Sequence, residues 1–134
     1  MLRIRDEVVS LLWYLSVRTN SKYHRNRPVI LLGAVLKLTH YLVCILTCND
    51  LSIEVGMKSR VKLFHAIGII VGSNVEFGKN IVLRAHVVLG ERIIGSEEGP
   101  VIMDNVSFGI ASKAFGKVLI DSDRFIKSGQ IISR

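Results

Sequence analysis

Phe77–Gly90, FGKNIVLRAHVVLG, returns an apolar side chain at every sixth place, at Phe77, Leu83 and Leu89, and this stretch decides the fold. After one interruption the same register resumes at Ile102, Phe108, Ala114, Ile120, Ile126 and Ile132. A helix repeats near 3.6 residues and a flat strand at two, so a period of six belongs to neither. It belongs to a coil with three flat sides, each directing one apolar side chain inward, so that stacked coils bury a continuous ladder. An ordinary β-sandwich would need period-two alternation instead.

The positions between the inward residues agree. Each side must turn a corner, and turn-tolerant residues gather there: Gly78, Asn80, Asn105, Gly109, Gly116 and Gly129. Four places after the inward residue a second small or β-branched position is kept, at Ile81, Val87, Val106, Ser112 and Val118. Arg124 and Gln130 break that series, which predicts looser final coils.

Outside the repeat the chain reads differently. Residues 3–17, RIRDEVVSLLWYLSV, carry apolar side chains at helical intervals, with Asp6 and Glu7 read as acids near a helix start. The polar run Arg18 to Arg27 predicts a loop, and Pro28 suits the first turn of a second helix reaching Cys48. That helix is strongly apolar. Lys37 and His40 near its middle weigh against a membrane span, because a charge there costs roughly 3 kcal/mol. It is expected to pack on the first helix, on a neighbouring subunit or along a membrane face. Asn49 to Val61 is expected to be a connector into the first coil. The predicted organisation is a helical segment over 1–50 and a β-helix over 51–134.

At 134 residues the chain is sized for one modest domain. Its net charge of +7 is uneven: residues 1–62 hold ten basic and four acidic side chains, residues 63–134 eight and seven. The basic first part suits an anionic surface and allows peripheral membrane contact. No interleaving of aromatic and basic residues points to nucleic acid. Cys44 and Cys48 lie four apart, a spacing foreign to zinc ribbons and redox boxes, and no secretory leader is read ahead of them. Buried free thiols in a reducing cytoplasm are expected.

The run Leu63–Gly72, LFHAIGIIVG, followed by SNVEFGKNIVLRAHVVLG, resembles the serine acetyltransferase family of hexapeptide-repeat acyltransferases and the sugar and exopolysaccharide O-acetyltransferases related to it. The likeness covers about residues 50–132 and includes the coil end Val87-Val88-Leu89-Gly90 and the interruption Glu91–Val101, ERIIGSEEGPV. It implies a mainly β fold, a left-handed parallel β-helix of hexapeptide repeats preceded by a short two-helix segment. It also implies a homotrimer, with acetyl-CoA as cosubstrate and no metal. In family members a capping segment follows the coil that matches IKSGQIIS.

Acetyl transfer from a thioester to a hydroxyl needs a base for the hydroxyl proton and stabilisation of the oxyanion. Histidine suits the first task, its pKa lying near 6.5. The resemblance gives the base role to His65, and Glu97, Glu98 and His86 are candidates for the acceptor site, the two glutamates from an adjacent subunit. Pantetheine-binding corners match Ile110, Ala111 and Ser112, and Ser128 with Gly129. Lys117 and Lys127 are candidate point charges for CoA phosphates. His24 and His40 are expected to be structural.

Three departures bear on the acceptor. Phe64 stands where a serine acetyltransferase has aspartate, and Glu98-Gly99 stand where it has an Arg-His pair. Pro100 follows. A guanidinium able to clamp a carboxylate is thus replaced by an anion. The expectation is therefore an O-acetyltransferase for a small-molecule or sugar acceptor, a sugar hydroxyl of a surface polysaccharide precursor before serine. The alternatives are serine O-acetylation in cysteine synthesis or a scaffold without catalysis. The expected location is cytoplasmic, with membrane association through the basic helices.

Overall fold

Three stacks of short parallel strands form the three sides of a prism. The computed structural model describes residues 2–19 and 27–134. The first side holds β1 (Asp50–Leu51), β4 (Ile70–Val71), β7 (Val88–Gly90), β10 (Lys113–Phe115) and β13 (Ile131–Ser133), in that order. The second holds β2 (Gly56–Met57), β5 (Glu76–Phe77), β8 (Val101–Ile102) and β11 (Leu119–Ile120). The third holds β3 (Lys62–Phe64), β6 (Val82–Arg84), β9 (Ser107–Phe108) and β12 (Phe125–Ile126). The chain visits the sides in turn, so each strand pairs only with its equivalents one coil away, giving a parallel β-solenoid of about four turns.

The sixfold ladder is the core of this prism. Leu83 pairs with Leu63, Leu89 with Val71 and Ala114, Ile102 with Phe77 and Ile120, and Phe108 with Ile126. All of these side chains are buried. Burying one such aliphatic side chain contributes roughly 1.5–3 kcal/mol, and the stack repeats that gain coil after coil. The second recurring position, at Ile81, Val87, Val106, Ser112 and Val118, also faces inward.

Two expectations need correction. Asn49 to Val61 is no connector: β1 and β2 lie within it and pair in register with β4 and β5, and Leu51, Val55 and Val61 are buried. The register runs through Leu51, Met57 and Leu63, then resumes eight places later at Val71, because the turn between β3 and β4 is two residues wider than the standard side. The last coil is also fully paired. β13 keeps register with β10 from Ile131 to Ser133, although Arg124 turns outward and Gln130 bonds the Lys127 amide through Oε1.

Helix α1 (Leu2–Arg18) packs against β3 and closes the lower end of the prism. Its Trp13 is fully buried, sits edge-on to Phe77 with ring centroids 5.8 Å apart, and donates Nε1–H to the Ser52 carbonyl at 2.8 Å. Ser10 Oγ donates to the Val61 carbonyl. Helix α2 (Arg27–Thr47), with Pro28 in its first turn, packs on α1 and leads into β1. The middle of the expected Arg18–Arg27 loop, residues 20–26 with His24, lies outside the described residues. No helix among the described residues is long and apolar enough to cross a membrane.

His40 is structural, as expected. It is buried, its Nε2–H donates to the Leu51 carbonyl at 2.8 Å, and desolvation holds its pKa below 6.5 against the opposing pull of that bond. The cysteines divide. Cys44 is a buried free thiol whose pKa is raised, first by burial, whereas Cys48 is exposed. Cys48 lies just past the helix end at φ 52°, so it leaves the face that the i, i+4 spacing suggests.

Candidate active site

The edge where the third side turns into the first collects most of the candidate residues. His65 lies in the β3–β4 turn, His86 in β6–β7, Ile110 to Ser112 in β9–β10, and Ser128 with Gly129 in β12–β13. Each turn has a residue of positive φ at the equivalent place, Gly68 at 63°, His86 at 60°, Ala111 at 58° and Gly129 at 70°. Their amides form a column, donating to the carbonyls of Cys48, Ile67, Ala85 and Ile110 at 2.8–3.0 Å. For His86 and Ala111 the left-handed conformation is strained, and the stacked amide bonds hold it.

His65 belongs to the wide turn and has no equivalent in the other coils. It is exposed and itself lies at φ 53°. Side chains from outside the repeat fix its backbone. Asp6 of α1 accepts the His65 N–H on Oδ2 at 2.8 Å and the Ala66 N–H on Oδ1 at 2.9 Å. From below, buried Asn49 accepts the Ile69 N–H at 2.9 Å and donates to the Ala66 carbonyl at 3.1 Å. The His86 imidazole lies over Gly68, so close that a Cβ on residue 68 would stand 2.4 Å from Nδ1. Gly68 is thus required twice, by its φ and by this ring.

A shallow cleft lined by Arg3, Asp6, Glu7, Lys62, Leu63 and Phe64 flanks this corner. Phe64 is partly exposed there, so the position that carries aspartate in the resembled enzymes presents an apolar ring.

Asp6 lies near the start of the helix, as its place in the sequence suggests, but past the first turn and buried against the coil. Asn49 was not singled out at all. Its only sequence signal is a lone Asn directly after an apolar helix, which also suits an ordinary helix end.

The corner residues offered for pantetheine are only partly available. Ser112 is fully buried and its Oγ donates to the Gly109 carbonyl at 2.8 Å, so it serves the fold rather than the surface. The amides of Ala111 and Gly129 are spent in the column. Ile110 and Ser128 are exposed, and the space beside the Gly129 Cα is open.

Glu97 and Glu98 lie on a different edge, in the loop between β7 and β8 where the first side turns into the second. Glu91 organises that loop: Oε1 accepts from Asn74 Nδ2 at 2.7 Å and Oε2 accepts the Gly95 N–H at 2.8 Å. Gly99 passes so near Asn74 that a Cβ would stand 2.0 Å from its carbonyl oxygen. Ile93 and Ile94 project outward, and Glu98 Oε1 lies 3.6 Å from Lys117 Nζ, both side chains exposed. The structure therefore brings His65, His86 and the corner residues to one edge and sets the two glutamates apart. Lys127 is exposed on the edge of the candidate base, while Lys117 belongs with the glutamates. Among the described residues no group of three or more His, Cys, Asp or Glu side chains is placed to hold a metal ion.

No protein-family model matches the chain. Known proteins do. The serine acetyltransferase of Mycobacterium tuberculosis is 28% identical over 89 residues, which cover 66% of this chain and 39% of that one. The serine acetyltransferase of Staphylococcus epidermidis is likewise 28% identical, over 116 residues, which cover 83% of this chain and 51% of that one. Among solved structures, the Neisseria gonorrhoeae serine acetyltransferase superposes with a TM-score of 0.76 at 20% identity, over 96% of this chain and 48% of that one. A serine acetyltransferase solved in complex with CoA gives 0.63 at 16% identity, over 95% and 46%. At such identities the superpositions speak for the fold alone. The chain spans between 39% and 63% of the length of the serine acetyltransferases it matches.

Proposed function

We propose that this chain carries out acyl-CoA-dependent O-acetylation with His65 as the general base. The observation that carries the reading is the exposed imidazole on a corner whose backbone Asp6 and Asn49 bond, on the same edge as the turns at Ile110 and Gly129, in a chain similar to serine acetyltransferases. In the proposed step the neutral imidazole takes the acceptor's hydroxyl proton as the oxygen attacks the thioester carbonyl. Collapse of the tetrahedral intermediate breaks the C–S bond, and the imidazolium returns the proton to the leaving CoA sulfur. The Ile110 side chain and the open face of Gly129 are the surfaces proposed to meet the pantetheine arm.

The relatives favour serine as the acceptor, ahead of the sugar hydroxyl that the sequence departures suggest. The Glu98–Lys117 pair weakens the main objection to serine, because a cation stands 3.6 Å from the anion that replaces the resembled guanidinium. Phe64 keeps the sugar reading open, since a ring stacks on a sugar face and cannot bind an amino group as a carboxylate would. A homotrimer fits the separation of His65 from the Glu91–Val101 loop on different edges, a neighbouring chain supplying the loop. A cytoplasmic protein touching an anionic membrane surface suits the basic N-terminal part and the exposed apolar residues Leu38, Leu42, Ile45 and Leu46 of α2.

The test is thiol release from acetyl-CoA with serine and a panel of sugars, comparing the unmodified protein with His65→Ala. Transfer that vanishes in the variant supports the base role, and the acceptor giving signal decides between serine and sugar. Equal transfer by both proteins, or none by either with no CoA binding in calorimetry, would overturn the reading.

A further inference from the structure

The wide turn that carries His65 poses a bonding problem that the repeat cannot solve. Elsewhere on this edge each positive-φ amide donates to a carbonyl of the adjacent coil, because the other turns of this edge keep the same six-residue step. The two additional residues of the β3–β4 turn have no counterpart, and the amides of His65 and Ala66 face away from that ladder. Both are taken by one carboxylate, Asp6, on a helix outside the repeat and buried to 6% exposure.

We propose that Asp6 is a positioning residue for His65; the proposal rests on the reading of His65 as the base. The carboxylate bridges two consecutive N–H groups with one oxygen each, fixing the peptide planes on both sides of the His65 Cα. Charged acceptors make shorter and stronger bonds than neutral ones, so this bridge holds His65 at its positive φ and sets the direction of its Cα–Cβ bond. The imidazole then has only its own two torsions to order at each turnover. Arg5 Nη2, 3.5 Å from Asp6 Oδ1, is the cation that accompanies the buried anion. A helix packed over the coil end thereby controls the geometry of a base that it does not itself provide.

Asp6→Asn is the informative substitution, since it keeps the volume but points an NH2 group at one of the two amides. The expected result is a fall in kcat of about tenfold or more with KM for acetyl-CoA within about twofold, the size expected for one lost charge-assisted bond felt after binding. Hydrogen exchange should accelerate at the His65 and Ala66 amides while the Leu83 and Phe108 amides keep their protection. Asp121→Asn, exposed in the β11–β12 turn on a different edge, should match the unmodified protein.

Unchanged kcat in Asp6→Asn, or exchange that rises evenly along the whole chain, would overturn the proposal. If the variant does not fold, NMR titration of the unmodified protein decides: the His65 and Ala66 amide protons should shift together with the Asp6 carboxyl carbon, and their indifference to it would overturn the bridge. Should the unmodified protein transfer no acetyl group, the proposed activity fails by itself, and the exchange and titration still tell whether Asp6 holds His65.

Discussion

Replacing Trp13 by alanine tests the link between the helical segment and the coil. The side chain is fully buried, meets Phe77 edge-on with the ring planes at 87°, and bonds the Ser52 carbonyl. Truncating a buried Trp typically costs about 3–5 kcal/mol through lost transfer energy and the cavity left behind. A domain of this size is stable by roughly 5–15 kcal/mol, so Trp13→Ala should remove about a fifth of the total or more. Trp13→Phe separates the terms. It keeps a ring against Phe77 but leaves the Ser52 carbonyl without its donor, a loss of about 1–3 kcal/mol. The assay is urea unfolding followed by far-UV circular dichroism, because the chain has a single tryptophan and the variants lose its fluorescence. An alanine variant within roughly 1.5 kcal/mol of the unmodified protein would refute the docking, since exposed-site changes fall in that range. Equal losses in both variants would refute the division between ring and hydrogen bond.

Two further outcomes follow from the helices. His40 is held neutral in the fold, its pKa lowered from 6.5 mainly by desolvation, so its contribution is fully present above pH 6.5 and is lost as pH falls through the folded-state value. The urea midpoint should therefore drop on acidification below that point. His40→Gln, which can offer an N–H to the Leu51 carbonyl without titrating, should flatten the dependence, and an unchanged slope would refute it. Thiol labelling should modify Cys48 in the native protein and Cys44 only on unfolding, since burial both shields Cys44 and raises its pKa. Equal labelling rates would contradict the packing of α2.

The solenoid was legible because each side of a coil needs one inward apolar side chain, and that demand leaves a period that no other element shares. The same clarity explains the misreading of residues 49–61. The wide turn shifts the register by two places, so Leu51, Met57 and Leu63 fall out of phase with Phe77, and a periodic search finds no continuity. His65 could be singled out from the run that follows it, but not the means by which it is held. Asp6 acts across a separation of 59 residues and Asn49 across 20, and each has a sufficient local explanation near a helix terminus. Side chains that satisfy a distant backbone leave no periodic trace. Cys48 shows the converse, a helical spacing continued one residue past the helix that would have buried it.

The irregular turn also bears on how such a chain can change length. The strands above the β3–β4 turn are joined by bonds between equivalent residues of adjacent coils, whereas the His65 corner is pinned from beneath by α1 and by Asn49. Adding or deleting one whole coil above His86 would therefore extend or shorten the flank along which a long cosubstrate can lie without moving the residue proposed to act on it. The reach and the reactivity proposed for this chain thus belong to separate parts of the molecule, and one can be altered while the other stays in place.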